Sequence, residues 1–189
     1  MYLPKSFLRA VAFSLLSGAL TAAFAGTSQP AEKALQNYLA AESEGVSHFE
    51  FCKKTRPYVL MPAARDPEWD CPPHSGADIV LSDRTKYSCK AEKDGYQCEV
   101  TYSVVGTGLP GSSAPWRVDR VQKSPTTQRI KVNLVNQGGW KVEDPYISPH
   151  ISAAALLRAI ERELAAASHP AERSMLNKSK TMLMTAGVK

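Results

Sequence analysis

Four cysteines are the residues of this sequence whose type and spacing most clearly predict chemistry: Cys52, Cys71, Cys89 and Cys98. An even number of cysteines in an exported chain is typical of disulfide bonds, because oxidising compartments keep such bonds formed. The same compartments would also pair a catalytic thiol with another cysteine. We therefore predict two structural disulfides and no cysteine nucleophile.

The pairing follows from a predicted β-hairpin, in which apolar and polar residues alternate on both sides of a short polar turn. Residues directly opposite each other on the two strands must point to the same side of the sheet. This requirement leaves two possible registers for the hairpin. In one, a turn at residues 94–95 places Cys89 diagonally from Cys98. In the other, a turn at residues 93–94, followed by a left-handed bulge at Gly95, places these cysteines directly opposite each other. We favour the second register because it brings the two Cβ atoms within disulfide distance.

By elimination, Cys52 pairs with Cys71. This bridge would close a proline-rich loop and would stabilise the fold by about 3 kcal/mol according to the loop-entropy relationship. A metal site is the competing interpretation, since Cys71 and His74 have ligand-like spacing and Asp70 and Asp78 lie nearby. A second ligand pair of comparable spacing is missing from the sequence, so we predict no metal.

The first 25 residues have the pattern of a secretory signal peptide. Lys5 and Arg9 precede an apolar run at residues 10–24, and a small-x-small motif at residues 23–25 provides a cleavage site. The run is short for a membrane span, which needs about 20 strongly apolar residues. We therefore predict cleavage, a periplasmic or secreted mature protein and no stable membrane insertion afterwards.

Composition and charge restrict the class of protein. The 189 residues, of which 43% are hydrophobic, suit one ordinary globular domain. The formal net charge is +5, and two of the positive charges lie in the predicted signal peptide, so the mature part carries +3. Because no run of five like charges occurs, we expect no nucleic-acid binding.

An amphipathic helix is predicted near the start of the mature chain. Residues 27–30 offer caps and an early proline, and Gly45 is typical of a helix end. Between them, apolar residues spaced three and four apart form a stripe: Ala34, Leu35, Tyr38 and Leu39.

The segments that follow alternate between apolar and polar residues, so they predict strands. Beyond the hairpin at residues 85–105, strands are expected at residues 77–83, 116–122, 129–134 and 140–143. Each strand has one apolar face, and covering these faces with the helix is the two-layer α+β arrangement.

Two further helices are predicted after the last strand. Ser148 and Pro149 form a cap followed by a proline, so a helix should begin there, with His150 in its solvated first turn. Residues 168–170 break this helix and start a final one.

The helix over residues 34–41 and the closing strand at residues 138–144 (Gly-Gly-Trp-Lys-Val-Glu-Asp) resemble elements of the NTF2-like, or cystatin-like α+β, superfamily. The resemblance covers roughly residues 30–147. We predict an N-terminal helix packed on a curved antiparallel sheet of four to six strands, with one or two C-terminal helices appended. The predicted divisions are a signal peptide (1–25), an NTF2-like domain (26–147) and a helical extension (148–189).

The resemblance also implies a cone-shaped pocket that can hold a small apolar ligand. Candidates for lining it are Tyr38, Tyr87, Tyr102 and Trp140. Enzymes of this superfamily place ionisable side chains in the pocket. The charged residues considered on the strands here have the outward parity: Lys86, Lys90, Glu99, Arg129, Lys131, Lys141 and Glu143. Because a proton-transfer enzyme needs a buried Asp or Glu, we predict no catalytic residue and no cofactor.

These observations predict an exported, disulfide-stabilised, non-enzymatic monomer that binds a small apolar molecule or a protein partner. One alternative is an exported inhibitor or immunity-type protein that presents the loop between Cys52 and Cys71. Another is a small NTF2-like hydrolase, dehydratase or isomerase that combines a tyrosine with a carboxylate from residues 66–83.

Overall fold

A computed structural model describes residues 28–61, 78–109, 115–143 and 148–189 of the chain. In these residues it contains four α-helices and a six-stranded sheet, which confirms the predicted α+β class. The helices are α1 (Ser28–Ser43), α2 (His48–Thr55), α3 (Ala153–Ala166) and α4 (Pro170–Thr185). The strands are β1 (Val59–Leu60), β2 (Ile79–Glu92), β3 (Gly95–Leu109), β4 (Arg117–Asn136), β5 (Trp140–Glu143) and β6 (His150–Ser152).

The strands are ordered β1-β5-β4-β3-β2-β6 across the sheet. The four central strands pair antiparallel, as predicted. The two edge strands are parallel to their neighbours, β1 to β5 and β6 to β2. These edges span only two and three residues, which is too short for a periodic sequence pattern.

The β2–β3 hairpin has the predicted register. Cys89 lies opposite Cys98, and the two form a disulfide. The predicted left-handed bulge is wrong, because Gly95 pairs with Glu92 and has no positive φ. Glycine is required at this position for a different reason, because a Cβ atom there would collide with the carbonyl oxygen of Leu134 on β4.

Strand β4 joins two segments that the sequence predicted as separate strands. Residues 117–121 and 126–135 both pair with β3, and a register shift separates them. Residues 122–125 have no pairing partner on β3. Pro125 is therefore accommodated without removing a hydrogen bond of that ladder.

Two apolar clusters fill the space between helices and sheet. In the first, Leu35 and Tyr38 of α1 pack with side chains of β3, β4 and β5. In the second, α3 and α4 pack with Ile79, Leu81 and Trp116. The inner face of α1 is thus turned towards the sheet, as its apolar stripe predicts.

The helix predicted to begin at Ser148 begins at Ala153. Ser152 is its N-cap, and the Ser152 side chain accepts a hydrogen bond from the backbone N–H of Ala155. The preceding residues extend the sheet as β6 instead. His150, predicted to lie solvated in a helical turn, is 1% exposed.

Candidate functional site

Glu42 is an acidic side chain buried between α1 and the sheet. It lies four residues after Tyr38 and seven after Leu35, so the helical period places all three on one face. That face packs against the sheet, and Glu42 is 1% exposed. The apolar stripe of the helix therefore continues into a buried carboxyl group.

Three hydrogen bonds hold this carboxyl group. The hydroxyl of Tyr38 donates to Oε1 at 3.4 Å, and the hydroxyl of Tyr102 donates to Oε2 at 3.2 Å. The backbone N–H of His150 donates to Oε1 at 3.2 Å. Since these donors lie on α1, β3 and β6, Glu42 connects its helix to two strands of the sheet.

The imidazole of His150 completes the cluster. Its ring stacks on the ring of Tyr102, with centroids 3.8 Å apart and planes inclined by 24°. Its Nε2 lies 3.4 Å from Oε1 of Gln128, and its Nδ1 lies 4.0 Å from Oε1 of Glu42. Nδ1 is buried and makes no hydrogen bond in the described part of the chain.

Burial controls the ionisation of these groups. It raises the pKa of Glu42 from 4.5 to about 7, although the hydrogen bonds from His150, Tyr102 and Tyr38 oppose this rise. It lowers the pKa of His150 from 6.5 to about 4. Burial, with the charge of Glu42 as a second cause, also raises the pKa values of Tyr38 and Tyr102 well above the ordinary value. In the folded protein the pKa of Glu42 therefore lies above that of His150, which is the reverse of their ordinary order.

The four predicted pocket residues lie in two different surroundings. Tyr38 and Tyr102 are fully buried and converge on Glu42. Tyr87 is partly buried, and its hydroxyl accepts a hydrogen bond from Gln36. Trp140 is also partly buried and packs edge-on against Tyr96, with centroids 5.3 Å apart.

Sequence reasoning missed Glu42 and His150. The search for a buried acid considered the strand faces only, whereas the buried acid lies on α1. The spacing of Leu35, Tyr38 and Glu42 could have predicted that Glu42 lies on the buried face of α1. Of the carboxylates proposed for the enzyme alternative, Asp78 and Asp83 are exposed. Asp66 and Asp70 lie outside the described residues.

A groove of about 650 Å³ lies on the other face of α1, between this helix and α2. Apolar side chains in its lining include Ala40, Ala41, Phe49, Pro57 and Tyr58. Phe49 is 65% exposed.

Charged side chains also line this groove. Nζ of Lys54 lies 3.6 Å from Glu44 and 3.9 Å from Glu50, so one cation is shared by two acids. Lys53 lines the groove as well and makes no ion pair with another described residue. Lys53 is thus the cation with which a ligand could pair.

The second predicted disulfide is only partly within the described residues. Cys52 on α2 is disulfide-bonded, and its Sγ lies 3.5 Å from Nε2 of His48. Cys71 and His74, the residues of the metal alternative, lie outside the described residues. Among the residues that are described, no group of three potential metal ligands occurs.

Together these features define an α+β protein with a surface groove and a buried cluster of ionisable groups. No protein-family model matches the chain, and neither the curated proteins nor the solved structures include a significant match. Within the described ranges, no helix is long and apolar enough to cross a membrane.

Proposed function

We propose that this chain is an exported, disulfide-stabilised, non-enzymatic binding protein that takes up a small apolar molecule with an acidic group. The groove between α1 and α2 is the proposed binding site. The exposure of Phe49 within that groove is the observation that carries the proposal.

The size and lining of the groove suit such a ligand. Its volume of about 650 Å³ lies within the usual range for small-molecule sites. Phe49 exposes 65% of its surface, so a ligand that covers the ring would remove apolar area from water. Burial of an aromatic side chain of this size contributes about 2 kcal/mol.

The acidic group of the ligand is inferred from the charges of the groove. Lys54 is already paired with Glu44 and Glu50, whereas Lys53 makes no ion pair with another described residue. A ligand carboxylate or sulfonate beside Lys53 would supply the missing partner. Electrostatic complementarity of this kind sets the orientation of a ligand more than its affinity.

Export and family membership belong to the same proposal. The pattern of the first 25 residues supports export, and the disulfide between Cys89 and Cys98 is compatible with an oxidising compartment. The NTF2-like resemblance remains a prediction. A sheet with antiparallel central strands and a helix against one face is compatible with it but occurs in many other α+β folds.

The enzyme alternative gains a carboxyl group beside Tyr38 and Tyr102. Glu42, both tyrosines and His150 are nevertheless each 1% exposed, so a substrate has no direct route to them. Catalysis requires a reacting atom within hydrogen-bonding distance of the acid or base. The open groove therefore favours binding over catalysis.

Two fluorescent probes test the site. Anilinonaphthalene sulfonate carries an apolar body and an anionic group, and N-phenylnaphthylamine has a similar body without the charge. Phe49→Ala should weaken binding of both probes by about tenfold or more. Lys53→Gln should weaken binding of the sulfonate by about fivefold and leave the neutral probe unchanged.

Met184→Ala is the matched control, because Met184 is 58% exposed on α4, away from the groove. Circular dichroism in the near ultraviolet checks that each variant stays folded. If Phe49→Ala and Met184→Ala have equal effects, or if neither probe binds the wild-type protein, the groove is not the binding site.

A further inference from the structure

The carboxyl group of Glu42 and the imidazole of His150 are buried side by side. Each is 1% exposed, and Oε1 of Glu42 lies 4.0 Å from Nδ1 of His150. This separation is too long for a direct hydrogen bond. Nδ1 also forms no hydrogen bond of ordinary geometry within the described part of the chain. The geometry is that of two neighbouring groups rather than of a formed ion pair.

Groups without charge at neutral pH surround this pair. Tyr38 of α1 and Tyr102 of β3 donate to the carboxyl group, and Gln128 of β4 lies beside the imidazole. The backbone of Ser148 also acts on the ring and favours its charged form, but less strongly than burial disfavours it. Among the described residues, no Lys or Arg forms an ion pair with Glu42. The surroundings therefore provide no opposite charge for an ionised carboxylate.

Two neutral groups are the arrangement that such surroundings favour. Moving a charge into a dry interior without a partner is costly, so buried ionisable groups shift towards their uncharged forms. The pKa of Glu42 is accordingly raised to about 7, and that of His150 is lowered to about 4. In the unfolded chain, where the ordinary values of 4.5 and 6.5 apply, both groups are charged between these two pH values.

We propose that, at mildly acidic pH, Glu42 and His150 form a buried acid–base pair that is neutral in the folded protein and ionised in the unfolded chain. Folding then takes one proton from the imidazole and places one on the carboxyl group, with no net uptake. Because the two effects cancel, the pair leaves the free energy of unfolding nearly independent of pH in the mildly acidic range. Either group alone would make this free energy depend on pH.

The two contributions have opposite signs. For Glu42 the folded pKa is raised, so its contribution is favourable at acidic pH and is lost as the pH rises from about 4.5 to about 7. For His150 the folded pKa is lowered, so its contribution is lost as the pH falls from about 6.5 to about 4. Between about pH 4.5 and 6.5 the slopes oppose each other and cancel.

Substitution of one member of the pair should reveal the pH dependence that the other member contributes to the free energy of unfolding. In Glu42→Gln only the imidazole responds, so the unfolding equilibrium constant should increase by up to about tenfold for each pH unit of acidification. In His150→Gln only the carboxyl group responds, so the constant should decrease by a similar factor. Urea denaturation between pH 4.5 and 6.5 measures both.

The double variant Glu42→Gln/His150→Gln is the matched control. It retains every other titratable group of the chain, so its pH profile gives the background. The wild-type profile should run parallel to this background within about threefold over the whole range. Parallel profiles for all four proteins would refute the pair.

Nuclear magnetic resonance of the wild-type protein covers the case in which a variant does not fold. The imidazole of His150 should titrate below pH 5, and the carboxyl carbon of Glu42 should titrate above pH 6. If His150 titrates near its ordinary value, or if Glu42 is ionised at pH 5, the proposal is wrong.

Discussion

The hydroxyl of Tyr102 on β3 lies 3.2 Å from Oε2 of Glu42 on α1, although 60 positions separate the two residues in the sequence. This hydrogen bond fastens the first helix of the described chain to the centre of the sheet. It also favours the ionised carboxylate, since a donor stabilises negative charge on the acceptor.

Tyr102→Phe should therefore destabilise the protein more at pH 8 than at pH 5. The substitution keeps the aromatic ring that stacks on His150 and removes only the hydroxyl. The pKa of Glu42 should rise further, because one of the hydrogen bonds that lower it is lost. Loss of a hydrogen bond to a charged group costs about 1.5–3 kcal/mol, which urea denaturation at pH 8 should show.

Tyr87→Phe is the control for this prediction. Its hydroxyl contacts the exposed side chain of Gln36 rather than a buried carboxyl group. We expect a change below about 0.5 kcal/mol at both pH values. A Tyr102→Phe variant with equal losses at pH 5 and pH 8 would contradict the role assigned to the hydroxyl.

Gly95→Ala should destabilise the hairpin through a steric collision. A Cβ atom at this position would meet the carbonyl oxygen of Leu134 on the neighbouring strand. We expect a loss of about 1–3 kcal/mol, as is usual for overpacking. Lys93→Ala in the adjoining turn is the control, because Lys93 is exposed. If both variants unfold at the same urea concentration, β3 and β4 do not approach as closely as described.

The Cys89–Cys98 disulfide closes a short loop within the hairpin and should therefore add about 2.5 kcal/mol to the free energy of unfolding. The double variant Cys89→Ala/Cys98→Ala should unfold at a correspondingly lower urea concentration. Peptide mapping of the wild-type protein without reduction should yield a peptide pair that joins these two cysteines. A link between Cys52 and Cys89 would instead contradict the register of the hairpin.

Several long elements of the fold could be predicted from the sequence. Helix α1, the register of the β2–β3 hairpin and the disulfide between Cys89 and Cys98 all rest on local periodicity, and the structure contains them. Local periodicity also placed Tyr38 on the buried face. These features could be predicted because residues that are close in the sequence determine them.

The buried cluster could not be predicted in the same way. His150 lies 108 positions from Glu42, and a short parallel strand brings the two together. A three-residue strand has no recognisable period, and residues 148–149 resemble a helix start. Because Ser148 and Pro149 resemble an N-cap followed by a proline, the sequence pattern predicted that His150 lies in a solvated helical turn. Only the pairing of β6 with β2, which is a tertiary contact, determines its burial.

The true start of α3 can be tested directly. Ser152 caps the helix through its side chain, whereas the sequence pattern favoured Ser148. Ser152→Ala should lower the free energy of unfolding by about 1 kcal/mol, the usual cost of losing such a cap. Ser168→Ala, in the exposed connection before α4, should change it by less than about 0.5 kcal/mol. Equal effects of the two substitutions would place the helix start elsewhere.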